Sequence, residues 1–254
     1  MGREALDELV ARADRSGLFL DFDGTLSEIA PTPDEAVAVT GSTEVLAGLA
    51  ERFRLVAVVS GRRTSEVEKR LARPKGVRVF GLYGLESERG PDDRIEEGSR
   101  AVEEVLPRVM ELAAGLPGSL VEPKGSNLAV HYRLARDPAA AHAALRSGLE
   151  PLARAAGLRL VEGKRVLELV PAAAPTKGDL VMREGRGLEG VLFAGDDAAD
   201  LDAFAAVDRL AADGAHAVKV AVRTAETPVE LQRSADLVVE GPAGLLEVLR
   251  TLAR

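Results

Sequence analysis

The strongest constraint on this chain is a series of short, continuously apolar runs, each followed by a helical stretch. "LFLDF" (18–22), "RLVAVVSG" (54–61), "VRVFGLYG" (77–84), "GVLFAGDD" (190–197), "AVKVAV" (217–222) and "ADLVVEG" (235–241) do not alternate apolar with polar residues. A strand with one wet face alternates, whereas a run that is apolar at every position is buried on both faces, as in a parallel sheet. Amphipathic stretches lie between them: "GSTEVLAGLAERF" (41–53), opened by a Ser/Thr cap, "RTSEVEKRLA" (63–72), "ADLDAFAAVDRL" (199–210) and the Pro-opened "PAGLLEVLRTLA" (242–253). The β-α-β rhythm predicts an α/β chain with helices on both faces of a doubly wound, Rossmann-like parallel sheet.

In the middle of the chain the rhythm changes. "EEGSRAVEEVLPRVMELAAGL" (96–116) reads as a helix interrupted by Pro107, and "SLVEPKGSNLAVHYRL" (119–134) as two strands around a Lys-Gly-Ser turn. A second helix follows over 137–157, then "LRLVEGKRVLELVP" (158–171), a hairpin turning at Glu162-Gly163-Lys164. The αββαββ order predicts a second, α+β domain, residues 92–171, inserted into a core made of residues 1–91 and 172–254.

A formal net charge of -8 argues against a nucleic-acid or anionic-membrane partner, so an anionic ligand must be held by local cations. The chain has no cysteine, which excludes disulfides, thiolate metal sites and a Cys nucleophile. Its first 17 residues are charged and amphipathic, without the apolar segment of a signal peptide, and no apolar run is long enough for a bilayer. The expectation is a cytoplasmic monomer. "GRGLEG" (185–190) fits a dinucleotide fingerprint by letter, but it follows a helix and precedes a strand, the reverse of the order that motif needs.

Four stretches share one place in this pattern, the end of a strand or the start of a helix: "DFDGT" (21–25), "VVSGRR" (58–63), "APTKGD" (174–179) and "FAGDDAAD" (193–200). In an open parallel sheet, strand C-termini form the crevice where ligands bind. They would gather the carboxylates Asp21, Asp23, Asp196, Asp197 and Asp200 with the hydroxyl of Ser60 and the cations Arg62 and Lys177. Carboxylates without His or Cys suit a hard cation, most naturally Mg²⁺, and a hard cation beside Lys, Ser and backbone amides suits a phosphoryl group. Asp21 then reads as a nucleophile and metal ligand, and Asp23 as the acid that protonates a leaving oxygen and the base that activates water. Taken singly, "DFDGT" and "GDD" also read as turns with solvated Asp residues.

This set resembles the haloacid-dehalogenase-type (HAD) phosphatases, with their Asp-x-Asp-x-Thr, Ser/Thr, Lys and late acidic motifs. The resemblance implies an aspartyl-phosphate intermediate on Asp21 and Mg²⁺ held by Asp21, Asp23 through its carbonyl, and Asp196, with Asp197 and Asp200 supporting the metal shell. It also implies Ser60, Gly61 and Lys177 at the phosphate, with Arg62 touching phosphate or helping to close the inserted domain as a cap.

In such enzymes the cap selects the substrate. By period 2, Asn127, Ala129, His131 and Arg133 share one strand face, and Lys164 and Glu168 share another. Charges and amides with almost no aromatics suit a polyhydroxylated ligand better than a nucleobase. "LFLDFDGTL", "VVSGR", "GLYGLE", "EPKGSNLAVHYR", "GKRVLELVP", "TKGDLV" and "FAGDDAADLDAF", in this order, are similar to the trehalose-6-phosphate phosphatases over nearly the whole chain. That resemblance implies trehalose 6-phosphate as the small-molecule substrate, with Glu86, Lys124, Asn127, His131, Arg133, Lys164 and Glu168 in sugar recognition or cap closure, Lys124 and Glu168 foremost. Three of the chain's six lysines, Lys124, Lys164 and Lys177, stand within these quoted motifs. Ala199 and Leu201 stand where this family commonly has Thr and Glu, and Leu85 where it is often polar. Alternatives are a phosphatase for another sugar phosphate (sucrose, mannosyl or glucosylglycerol phosphate) and a non-catalytic sugar-phosphate sensor.

Overall fold

The computed structural model describes residues 2–88, 90–92 and 94–254. The chain divides into a core unit, residues 1–89 with 175–254, and an inserted unit, residues 90–174, against the expected 92–171. The first segment of the core unit runs α1 (Gly2–Val10), β1 (Ser16–Asp21), α2 (Ser42–Arg52), β2 (Leu55–Val59), α3 (Thr64–Arg70), β3 (Arg78–Phe80) and β4 (Glu86–Ser87). The inserted unit runs β5 (Gly90–Pro91), α4 (Arg94–Ala114), β6 (Leu120–Pro123), β7 (Leu128–His131), α5 (Pro138–Ala155), β8 (Leu158–Gly163) and β9 (Val166–Pro171). The core unit resumes with α6 (Lys177–Gly185), β10 (Gly190–Gly195), α7 (Asp200–Ala212), β11 (His216–Arg223), α8 (Val229–Ser234), β12 (Leu237–Glu240) and α9 (Gly241–Leu252). Among the described residues no helix is long and apolar enough to cross a membrane.

Six strands of the core unit form one sheet in the order β12-β11-β10-β1-β2-β3, and every neighbouring pair is parallel. Both faces are dry, as the continuous apolar runs require. Leu18, Leu20, Val56, Val58, Leu192 and Val220 pack on one side with Leu9, Leu46, Leu49 and Leu249 from α1, α2 and α9. Phe19, Val59, Val191 and Phe193 face the other way, against Leu180, Val181, Phe204 and Val207 from α6 and α7. Phe193 and Phe204 meet edge to face at 6.1 Å, a favoured arrangement of ring quadrupoles. Since β1 lies between β10 and β2, with Leu20 level with Ala194 and Asp21 level with Val59, the ends of these three strands come together.

The inserted unit is a four-stranded antiparallel sheet, β6-β7-β9-β8, with α4 and α5 on its apolar face. Leu128, Val130, Leu167 and Leu169 bury against Val105, Val109, Leu145 and Leu149. Glu122, Ala129 and Glu168 are cross-strand neighbours on the opposite face, which is the polar face anticipated by period 2.

Four local readings need correction. The helix α4 runs unbroken through Pro107, which lies on its exposed side. The β8–β9 hairpin turns at Lys164-Arg165, one step later than Glu162-Gly163-Lys164, because Glu162 and Gly163 still pair with Leu167 and Val166 while Arg165 takes a left-handed φ of 59°. Gly41, not a hydroxyl side chain, precedes α2, again with a left-handed φ. The strand β3 stops at Phe80, because Leu82 and Tyr83 adopt φ of 49° and 60° and fasten back on the loop after β2: Leu82 N donates to Arg62 O at 2.8 Å and Tyr83 N to Ser60 O at 3.0 Å.

Truncating a side chain within the two dry layers should be far costlier than at the sheet edge. Leu192→Ala should lower unfolding free energy by about 2–5 kcal/mol, and Val238→Ala on β12 by less than about 0.5 kcal/mol. Equal losses in denaturant titrations would contradict this packing.

Candidate active site

The site is built on an unfavourable placement. Lys177 is the first residue of α6, where the positive end of the helix dipole disfavours a cation. It is also 5% exposed, where an unpaired ammonium is costly. Its position is fixed by a capping box: Asp179 N donates to Thr176 Oγ1 at 3.1 Å while Thr176 N donates to Asp179 Oδ2 at 3.0 Å. Two carboxylates offset the charge, as Lys177 Nζ donates to Asp21 Oδ1 and to Asp200 Oδ1, both at 2.7 Å. Burial opposes the lysine's charge, but Asp200, then Asp21 and Asp197, overcome it and raise its pKa well above the ordinary value.

Asp200 is held in turn by backbone. Its Oδ2 accepts from Asp196 N at 2.8 Å and Asp197 N at 3.0 Å, which fastens the end of β10 to the start of α7. Gly195 is required here, since a Cβ would lie 2.4 Å from Asp200 Cγ. Asp197 Oδ1 accepts from Ala199 N at 2.9 Å. The chain leaves β1 through buried Phe22, whose carbonyl accepts from Leu26 N and Ser27 N, both at 2.9 Å. Gly24 has φ of +83°, and a Cβ on it would lie 1.9 Å from Asp196 Oδ2. Both the turn and the acid opposite it therefore demand glycine. Thr25 Oγ1 lies 3.3 Å from Asp196 Oδ1 and 3.5 Å from Asp21 Oδ2.

Asp21, Asp196 and Asp200 are all buried and offer oxygens within 4.8 Å of one another. Asp21 and Asp200 share the ammonium of Lys177, so these two acids carry more negative charge than that lysine offsets. Hard oxygen donors with that excess fit a hard divalent cation. Without one, burial is the largest influence on Asp21; Lys177 opposes it, Asp200 and Asp197 add to it, and the carboxyl is pushed up to about 8.

The other expected residues fall in two groups. Ser60 is buried at the end of β2; its Oγ accepts from Arg62 N at 3.1 Å, with Gly61 between them. Arg62, expected to touch phosphate or to help close the cap, forks onto Asp23: Nε donates to Oδ2 and Nη2 to Oδ1, both at 2.7 Å. Glu86, expected in sugar recognition or cap closure, accepts from Arg63 Nη2 at 2.8 Å and from Thr64 N at 2.9 Å, at the start of α3.

In the inserted unit Lys124 is 7% exposed and makes a short ion pair with Glu168, while Glu122 lies 3.9 Å from the same ammonium and 2.7 Å from His131 Nε2. Glu122 was missed by sequence reasoning. Its signal is its place two residues before Lys124, on the face shared with Ala129 and Glu168. Asn127 is fully buried, and its Oδ1 accepts from Ser126 Oγ at 3.1 Å. Arg133 Nη2 donates to Lys164 O at 3.0 Å, so this pair secures the hairpin turn.

The raised pKa of Asp21 makes a stability prediction for the metal-free protein. Between the ordinary carboxyl range and about pH 8 the folded chain holds a proton at Asp21 that the unfolded chain has released, so this group's contribution to stability falls as pH rises. Asp21→Asn, which mimics the protonated carboxyl, should melt at least as high as the parent at pH 8 in EDTA and should flatten the decline in Tm between pH 5 and 8. Parallel Tm–pH curves for the two proteins would refute this.

Comparison with known proteins places these features in a family. The trehalose-phosphatase family profile matches residues 19–242. The trehalose-phosphate phosphatase of Mycobacterium tuberculosis is 34% identical over 263 residues, a match covering 98% of this chain and 63% of that protein. The chain spans less than two thirds of the length of the curated relatives it matches, from 15% to 63%. Among solved structures, the C-terminal domain of the Candida albicans trehalose-6-phosphate phosphatase superposes with a TM-score of 0.86 at 21% identity, covering 100% of this chain and 97% of that one. A haloacid dehalogenase-like hydrolase of Bacteroides thetaiotaomicron superposes with a TM-score of 0.61 at 17% identity, covering 93% of this chain and 99% of that one. With its parallel HAD-like core, its separate antiparallel unit and the matched profile, the chain belongs to the trehalose-phosphatase family.

Proposed function

We propose that this chain is a Mg²⁺-dependent phosphatase that hydrolyses trehalose 6-phosphate to trehalose and phosphate through an aspartyl phosphate on Asp21. The observation that carries the reading is the buried Asp21–Lys177–Asp200 arrangement beside Asp196. A binding protein has no need of a carboxylate aimed and charge-compensated in this way. Support for the sugar comes from the matched family and from the Lys124, Glu168, Glu122 and His131 cluster on the inserted unit.

In the first step an oxygen of Asp21 forms a bond to phosphorus, the bond from phosphorus to the sugar oxygen breaks, and Asp23 gives that oxygen a proton. In the second step water attacks phosphorus, its proton passes to Asp23, and the bond to Asp21 breaks, restoring the carboxylate. Lys177 holds Asp21 in a single orientation and, with Ser60, supplies donors to the phosphoryl oxygens. The Arg62 fork takes one acceptor site on each Asp23 oxygen and leaves the other for the proton passed to the leaving oxygen. Bound Mg²⁺, held by Asp21, the Asp23 carbonyl and Asp196 with Asp197 and Asp200 in support, would neutralise charge on the phosphoryl oxygens.

The test is phosphate release from trehalose 6-phosphate with Mg²⁺, beside sucrose and glucose 6-phosphates and an EDTA control. Strong, EDTA-sensitive release from the trehalose ester alone is expected. Preference for another ester would overturn the substrate, and silence on all of them from folded protein would favour a sensor. Lys124→Ala and Glu168→Gln should each lower kcat/KM on the disaccharide ester by about 10–100-fold, the loss expected when charged partners of a polar ligand are removed. Their rates on p-nitrophenyl phosphate should change by less than about threefold. Equal losses on both substrates would remove the inserted unit from sugar recognition.

A further inference from the structure

Three residues of the segment 62–70, spaced four apart, form an arrangement of which the chemistry above uses only Arg62. Arg62, Glu66 and Arg70 line one side of α3 and its approach. As sequence, 67–75 reads as a solvated helix end, yet the Arg70 side chain is only 13% exposed. Its Nη2 donates to Pro33 O at 3.1 Å, its Nε to Ala36 O at 3.2 Å and its Nη1 to Glu66 O at 3.2 Å. The remaining nitrogen of Arg62, Nη1, donates to the same Pro33 carbonyl at 3.0 Å. Two guanidinium groups therefore converge on one oxygen. Glu66 separates their charges, its Oε2 lying 3.6 Å from Arg62 Nη1 and 3.8 Å from Arg70 Nη1.

The other edge of Arg62 forks onto Asp23, and its carbon lies 5.9 Å from the centroid of the Phe22 ring. The Asp23 side chain is 44% exposed, and the fork holds its carboxylate in a single plane. A bidentate guanidinium fixes both oxygens at once, but it does so only if the guanidinium is itself fixed.

We infer that Glu66 and Arg70 are positioning residues for the acid–base chemistry of Asp23: with the Pro33 carbonyl they hold the far side of Arg62, and Arg62 holds the carboxylate. This rests on the role of Asp23 proposed above. Neither Glu66 nor Arg70 touches Asp23 itself.

The experiment is steady-state kinetics of Arg70→Met and Glu66→Gln on trehalose 6-phosphate and on p-nitrophenyl phosphate, with a crystal structure of Arg70→Met. An alkyl leaving group needs a proton in the first step and nitrophenolate does not, so a misaimed acid penalises the sugar ester more. We expect kcat on the sugar ester to fall about tenfold, a modest case of misplacement from outside the chemistry. KM should stay within about twofold, and kcat on the aryl ester should fall less than about threefold. Arg70→Lys, which keeps the charge but reaches fewer carbonyls, should recover part of the loss. Equal falls on both esters, an unchanged kcat, or a rise in KM alone would overturn the inference. If the parent protein does not hydrolyse trehalose 6-phosphate, the substrate reading fails separately and the crystal structure decides. An Arg62–Asp23 fork displaced in Arg70→Met supports the positioning role, and an undisturbed fork overturns it.

Discussion

The core unit depends on a single buried ammonium. Lys177 stands at the wrong end of a helix dipole and out of water, and it is tolerable there only between Asp21 and Asp200. Each of those acids sits where a strand or helix boundary puts it. Asp21 ends β1, and Asp200 opens α7 with its second oxygen on two backbone amides from the end of β10. The ion cluster and the sheet therefore specify one another: parallel pairing of β1 with β10 brings the acids together, and the lysine makes their proximity bearable. Burial first, and the neighbouring Asp200 and Asp197 after it, raise the proton affinity of Asp21 against the pull of Lys177, and the same gathering of buried carboxylate oxygens fits a hard divalent cation.

The inserted unit repeats this logic on a different scaffold. Lys124, nearly buried just after β6, pairs with Glu168 of β9 and has Glu122 within 3.9 Å. Buried pairs of this sort gain little stability over apolar packing, so their presence on one face of a sheet whose other face is a plain apolar core calls for a role. In the proposed reaction that role is hydrogen bonding to a hydroxyl-rich ligand, where both donors and acceptors are needed.

How far the sequence could be read follows from what each feature rests on. The parallel sheet was legible because burial on both faces demands unbroken apolar runs, and the polar face of the inserted sheet because strands alternate with period 2. The Asp-x-Asp, Ser, Lys and Asp-Asp stretches were legible because each falls at a strand or helix boundary. What was not legible depends on side-chain reach or on backbone sterics. Nothing in "SGRR" says that Arg62 turns to Asp23 and Pro33, or in "GLYGLE" that Glu86 accepts from the first turn of α3. Likewise, the left-handed Leu82 and Tyr83 cut β3 short although both residues suit a strand by composition. Pro107 misled in the opposite direction, since a proline on the exposed side of a long amphipathic helix need not end it.

The most direct measurement of the central claim is to quench a single turnover with ³²P-labelled trehalose 6-phosphate in acid and map the label on peptides. Acid preserves an acyl phosphate, so label should appear on the peptide carrying Asp21, should be released by hydroxylamine, and should be absent from Asp21→Asn. Product formation in the same quench with no label on the protein, or label on any residue other than Asp21, would contradict it.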